Sequence, residues 1–72
     1  MKVNVFAAVY ELMQEKLAHN IRPPMVPVLE IYEKLCPKGY NLEMINRELN
    51  AEITNGRIGK SRGINGDLYY LE

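Results

Sequence analysis

Two adjacent prolines, Pro23 and Pro24, limit what this chain can fold into more than any other feature. Neither can donate a backbone hydrogen bond, and each pushes the residue before it out of helical geometry. The stretch Asn20-Ile21-Arg22-Pro23-Pro24 therefore ends whatever helix precedes it, and a new element must start beyond. Before the break, Phe6, Val9, Met13 and Leu17 recur at spacings of three and four, and Leu12 widens the stripe. The pattern predicts a helix over residues 4–20 with Asn4 as its N-cap. Val3, Ala7 and Tyr10 form a second apolar line, which reads either as a wider core face or as a dimer contact.

After the prolines, Val28, Ile31, Tyr32 and Leu35 predict a second helix over 27–35, with Pro27 at its first position. Pro37 stops it, and Gly39 can supply a positive-φ turn. Asn41 then caps a third helix over 42–54. Leu42, Ile45, Leu49 and Ile53 lie on its inner face, and Glu43, Asn46, Arg47, Asn50 and Thr54 lie on its outer face. Asn55-Gly56 is a helix stop.

The remainder reads as a β-hairpin, with strands at 57–61 and 67–71 and a tip at 62–66. Asn65-Gly66 could form a two-residue turn, but that register carries the partner of Ile58 past residue 72. The longer loop, which sets Ile58 near Tyr70, is the preferred pairing. Seventy-two residues leave room for one domain, 1–72, of class α+β. A chain this short is marginal alone, and small domains often gain stability by self-association. The surplus apolar line on the first helix thus predicts a homodimer through that helix.

Several classes of chemistry are not expected. Cys36 and His19 are each the sole residue of their type, so no disulfide or clustered metal site is expected. Cys36 reads as a small buried residue near a helix end, and His19 as a polar residue near the end of the first helix. There is no nucleophile–base pair or paired-carboxylate arrangement, so neither an enzyme nor a cofactor is expected. Gly59-Lys60-Ser61 lacks the upstream glycine of a phosphate-binding loop. The apolar run Val5–Tyr10 is far shorter than the about 20 residues of a membrane span, which predicts a cytoplasmic protein.

Charge is balanced, nine basic against nine acidic residues, so its distribution matters more than its sum. Between Gly56 and Gly66 stand Arg57, Lys60 and Arg62 with no acid among them, and Gly59, Gly63 and Gly66 let that backbone approach a surface closely. These cations suit phosphates or a minor groove. On the third helix, Asn46, Arg47 and Asn50 have the side chains that read adenine and guanine edges, and Glu43 can accept from cytosine. Glu43, Glu48 and Glu52 outnumber Arg47, however, and repel phosphate. Tyr10, Tyr32, Tyr40, Tyr69 and Tyr70 read as core edges with their hydroxyls in water.

The order helix, helix, tight turn, helix, hairpin resembles the winged helix-turn-helix superfamily. The resemblance is carried by Leu49, Ile53, Gly56, Ile58, a glycine-rich tip and then Tyr69-Tyr70-Leu71. A closer likeness is to the N-terminal domain of SOS-response repressors of the LexA type, through Val9–Leu17, Pro23-Pro24, Val28–Leu35 and Leu49–Ile58. It departs at Ile31 or Tyr32, where a small residue is usual, and nothing here matches the self-cleaving domain of those repressors. The resemblance implies three helices followed by a two-stranded antiparallel wing. It also implies double-stranded DNA as partner and a role as a small transcriptional or mobile-element regulator. Glu43, Asn46, Arg47 and Asn50 would form the recognition helix, and Arg57, Lys60 and Arg62 the wing. The rival reading is a winged-helix interaction module, homodimeric and without DNA binding, which the acidic third helix favours.

Overall fold

The computed structural model describes residues 3–64 and 66–71. Helix α1 runs Val5–Ala18, α2 Val28–Leu35 and α3 Leu42–Thr54. Strand β1 is the dipeptide Val26–Pro27, β2 is Ile58–Gly63 and β3 is Gly66–Leu71. The protein is α+β, three helices against one antiparallel sheet ordered β1-β3-β2. No helix among the described residues is long and apolar enough to cross a membrane.

Local chemistry sets the helix ends. The Asn4 side chain accepts from the Ala7 amide at 3.0 Å, and that of Asn41 from the Met44 amide at 2.8 Å. Each satisfies one amide that the first helical turn leaves unbonded. Helix α1 stops two residues earlier than its periodicity predicts. Asn20 takes a left-handed φ of 63°, while Asn20 and Ile21 donate back to the carbonyls of Leu17 and Lys16. Helix α3 ends the same way, with Gly56 at φ 76°, Gly56 donating to Ile53 and Arg57 donating to Glu52. Between α2 and α3, a short 3-10 turn over Cys36–Lys38 closes on Gly39 at φ 99°.

One core cluster joins all the elements. Helix α1 contributes Val5, Ala8 and Val9, α2 contributes Ile31 and Leu35, and α3 contributes Ile45 and Leu49. The sheet adds Val26, Ile58 and Tyr69. The buried line of α1 is thus rotated from the predicted Phe6-Val9-Met13-Leu17 stripe. Phe6, Leu12 and Met13 are only partly buried and pack at its margin. Helix α1 meets α2, α3 and β3 together, and the small side chains Val5 and Ala8 permit that close approach. Two ion pairs tie α1 to α2, Lys16 to Glu30 at 3.0 Å and Lys34 to Glu11 at 3.6 Å.

Several expectations are corrected. The sheet has three strands rather than two, because Val26–Pro27 pairs with Tyr69 and Leu68. Pro27 is therefore extended, with ψ 148°, and caps α2 instead of opening it. The hairpin register differs by one residue: Ile58 pairs with Leu71, and the last pair is Gly63 with Gly66. A one-residue slip exchanges the faces of a strand, so Tyr69 rather than Tyr70 turns into the core beside Ile58. The strands are also longer than predicted, leaving Ile64 and Asn65 between them; Asn65 lies outside the described residues. Leu42, expected on the inner face of α3, is exposed at the first position of that helix, ahead of the buried Ile45 and Leu49. Finally, Cys36 is exposed. The inner line of α2 runs Ile31 to Leu35, and the next residue stands about 100° around the helix from that line.

Candidate nucleic-acid interface

The candidate residues lie on α3 and on the β2–β3 hairpin, and the structure gives them unequal freedom. On α3, Ile45, Leu49 and Glu52 face inward. That leaves Glu43, Arg47 and Asn50 exposed on the outer face. Arg47 donates to Glu43 at 3.1 Å across one helical turn, with both side chains more than two-thirds exposed. Such a pair is worth little and opens readily to a stronger partner. Asn46 is half-buried, and its Oδ1 accepts from the Tyr32 hydroxyl at 2.7 Å. That bond ties α3 to α2 and occupies the acceptor that a bidentate adenine contact requires.

The three basic residues beyond α3 divide in the same way. Arg57 stands where the chain leaves the helix, and its Nε and one Nη both donate to Glu52, the Nη contact at 2.7 Å. The same guanidinium lies 4.9 Å from the Phe6 ring centroid. Glu52 is only 9% exposed and is the one charged side chain in the buried set among the described residues. Hydrogen bonding to Glu52, then its charge, raise the Arg57 pKa above its already high ordinary value. The charge of Arg57 is thus neutralised at its base, and the residue fixes how the hairpin leaves the helix.

Lys60 and Arg62 are exposed, and neither forms an ion pair among the described residues. Side chains alternate along a strand, so both share the face of β2 that carries Ile58. At Ile58 that face is covered by the core. Lys60 lies opposite the buried Tyr69 at the edge of the core, and Arg62 lies two residues farther toward the hairpin tip. Asp67 is the cross-strand neighbour of Arg62 on this face, which reduces the net charge there. At the tip, the Gly63–Gly66 pair is close: a Cβ on Gly63 would stand 2.9 Å from the Gly66 carbonyl oxygen.

Two features of this region escaped the periodicity of the sequence. One is an apolar concavity of about 320 Å³ between the hairpin tip and the start of α2, lined by Pro27, Val28, Leu29, Ile64 and Leu68 among others. Leu29 and Ile64 are 66% and 102% exposed. The other is the Tyr32–Asn46 bond. Neither has a local signal, because each depends on residues well apart in sequence.

On helix α1, the second apolar line is largely accounted for. Val3 is buried in the core and Ala7 is half-buried, which leaves Tyr10 as its one exposed member, at 50%. No known protein family, curated protein or solved structure matches the chain.

Proposed function

We propose that the chain is a winged-helix DNA-binding protein that grips duplex DNA mainly through its hairpin, in the manner of a small transcriptional or mobile-element regulator. In this reading α2 and α3 form the helix-turn-helix, β2 and β3 form the wing, and β1 is the short strand that closes the sheet. The supporting observation is the pair Lys60 and Arg62. Both are exposed, both lack ion-pair partners among the described residues, and both stand on one face of the hairpin, Lys60 beside the core residue Tyr69 and Arg62 nearer the tip. Phosphate contact is the chemistry such side chains serve best. Arg47 and Asn50 are the α3 side chains most available to base edges, since Asn46 is engaged by Tyr32. Glu43 holds Arg47 until a base or phosphate competes for it.

The test is a titration of the protein against a pool of random duplexes at low and at moderate salt. Binding that weakens steeply with salt is the expected result. No complex at low salt with tens of micromolar protein overturns the reading.

A second reading, a homodimeric interaction module, is favoured by the exposed Leu29 and Ile64. With Val3 buried, Tyr10 is the exposed apolar side chain that α1 still offers to such a contact. Sedimentation equilibrium at micromolar concentration tests it: a single 8.3 kDa species rules the homodimer out.

A further inference from the structure

Strand β2 lies at the edge of the sheet, because the order β1-β3-β2 gives it a neighbour on one side only. The pairing decides which of its backbone groups are left over. Pro27 has no N–H, so on β1 it is Val26 that exchanges hydrogen bonds with its partner, Tyr69. Successive residues of an antiparallel strand turn their N–H and C=O to alternate sides. Tyr69 is thus turned toward β1, while Leu68 and Tyr70 are turned toward Ser61 and Gly59 of β2. A two-residue loop closing on Gly63 and Gly66 gives the same phase. The N–H and C=O of Lys60 and Arg62 accordingly point away from β3, at the open edge.

The same two residues carry exposed cations with no ion pair among the described residues. They stand about 7 Å apart at the usual strand rise of about 3.3 Å per residue. Two acids at alternate positions of an added antiparallel strand share that spacing. Each would bond by its backbone to Lys60 or Arg62 and set its carboxylate beside the same residue's cation. Asp67 flanks Arg62 from the β3 side and leaves the open side to a partner. On the other face of β2, Ser61 is small, and with Tyr70, Pro23, Pro24 and Met25 among others it lines an apolar concavity of about 400 Å³. An apolar residue between the two acids would lie over Ser61 toward the Tyr70 ring.

A second copy of the chain does not suit this edge. Pairing β2 with its twin sets Lys60 and Arg62 against the same cations, and like charges directly opposite are destabilising. Lysine on an edge strand is a usual guard against such self-pairing. The guard that repels a twin attracts an acidic strand.

We propose that β2 takes up an extended acidic segment of a protein partner as an antiparallel fourth strand, with alternate carboxylates on Lys60 and Arg62. The inference goes beyond the DNA-binding reading and does not rest on it, although such a segment and a duplex would claim the same two cations.

The experiment uses the full chain and a capped, fluorescein-labelled heptapeptide with two glutamates on either side of a central valine and valine and threonine outside them. Anisotropy titration at low salt should show saturable binding, and amide exchange followed by NMR should slow at Lys60 and Arg62. N-methylation of the two glutamate amides, which keeps the charge and blocks the bonds to the edge, should abolish binding. A peptide with lysine in place of glutamate should not bind. Replacing Lys60 and Arg62 together by alanine should weaken binding about fivefold, with thermal melting unchanged. If no saturable binding is found, the cations only guard the edge and the inference is overturned. Binding that survives N-methylation is charge attraction without strand addition and overturns it equally. If the Lys60 and Arg62 amides are already protected in the protein alone, a second copy holds the edge and the inference falls.

Discussion

Arg57 reaches back across the corner between α3 and β2 and holds Glu52 with two guanidinium nitrogens. The backbone repeats the link, since the Arg57 amide donates to the Glu52 carbonyl at 3.0 Å. Glu52 is nearly buried, so truncating Arg57 takes a charged partner from a carboxylate that water reaches poorly. Arg57→Ala should lower the urea midpoint, and Arg57→Lys should recover only part of the loss, because an ammonium cannot make the two-pronged contact. Lys60→Ala, which removes an exposed cation, should leave the midpoint close to that of the parent. Equal midpoints for Arg57→Ala and Lys60→Ala would show that the pair does not set the corner.

Leu49 is 2% exposed and links α3 to the rest of the core. Leu49→Ala should cost about 2–5 kcal/mol, the usual range for truncating a core leucine. Leu29, at 66% exposed, makes the control, and Leu29→Ala should change stability by less than about 0.5 kcal/mol. Denaturant melts of the two variants check both figures, and a destabilisation below about 1 kcal/mol for Leu49→Ala would mean that the inner face of α3 is misplaced.

Tyr69 gives the fold an alkaline limit. Burial raises its pKa, and the negative charge of Asp67 and then Tyr32 adds to the shift. The folded state therefore holds this proton more tightly than the unfolded chain does. The associated stability is fully present below the ordinary phenol value of about 10 and is lost as pH rises from there through the raised folded value. Tyr69→Phe should remove this component. Urea midpoints measured at pH 8 and above pH 10 should fall more for the parent than for the variant; equal falls would place the alkaline sensitivity elsewhere.

Lys60 and Arg62 should act on DNA without regard to sequence. Replacing both by alanine should weaken every duplex alike and reduce the slope of log affinity against log salt by about 0.9 for each phosphate no longer neutralised. Arg57→Ala should leave that slope nearly unchanged, because Glu52 already neutralises the charge. Arg47→Ala should instead relax preference at one base position and cost about 1–3 kcal/mol against the best site only. Titrations over a range of salt with selected and random duplexes separate the three outcomes. A slope unchanged by the double substitution would remove the hairpin from the interface.

The three helices, the Asn4 and Asn41 caps and the existence of the hairpin could be read from the chain alone. Each of those signals is local: apolar spacings of three and four, an asparagine positioned to accept an amide, a glycine free to take positive φ, prolines that forbid helix. The cationic character of the hairpin was equally plain. Other features waited on partners far along the chain. Val26–Pro27 is too short to show an alternating pattern, and it is a strand only because β3 offers its edge. The hairpin register followed from turning Tyr69 into the core beside Ile58 and closing on two glycines, neither of which a count of loop residues reveals. The buried face of α1 was set by three neighbours meeting it at once, which favoured Val5 and Ala8 over the larger Phe6 and Met13. The candidate interface divided likewise. Sequence supplied Arg57, Lys60 and Arg62 as equals, and folding paired Arg57 with Glu52 while leaving the other two exposed. Spacing along a chain fixes which side chains can share a face, but which charges remain available to a ligand depends on the contacts made when the elements pack.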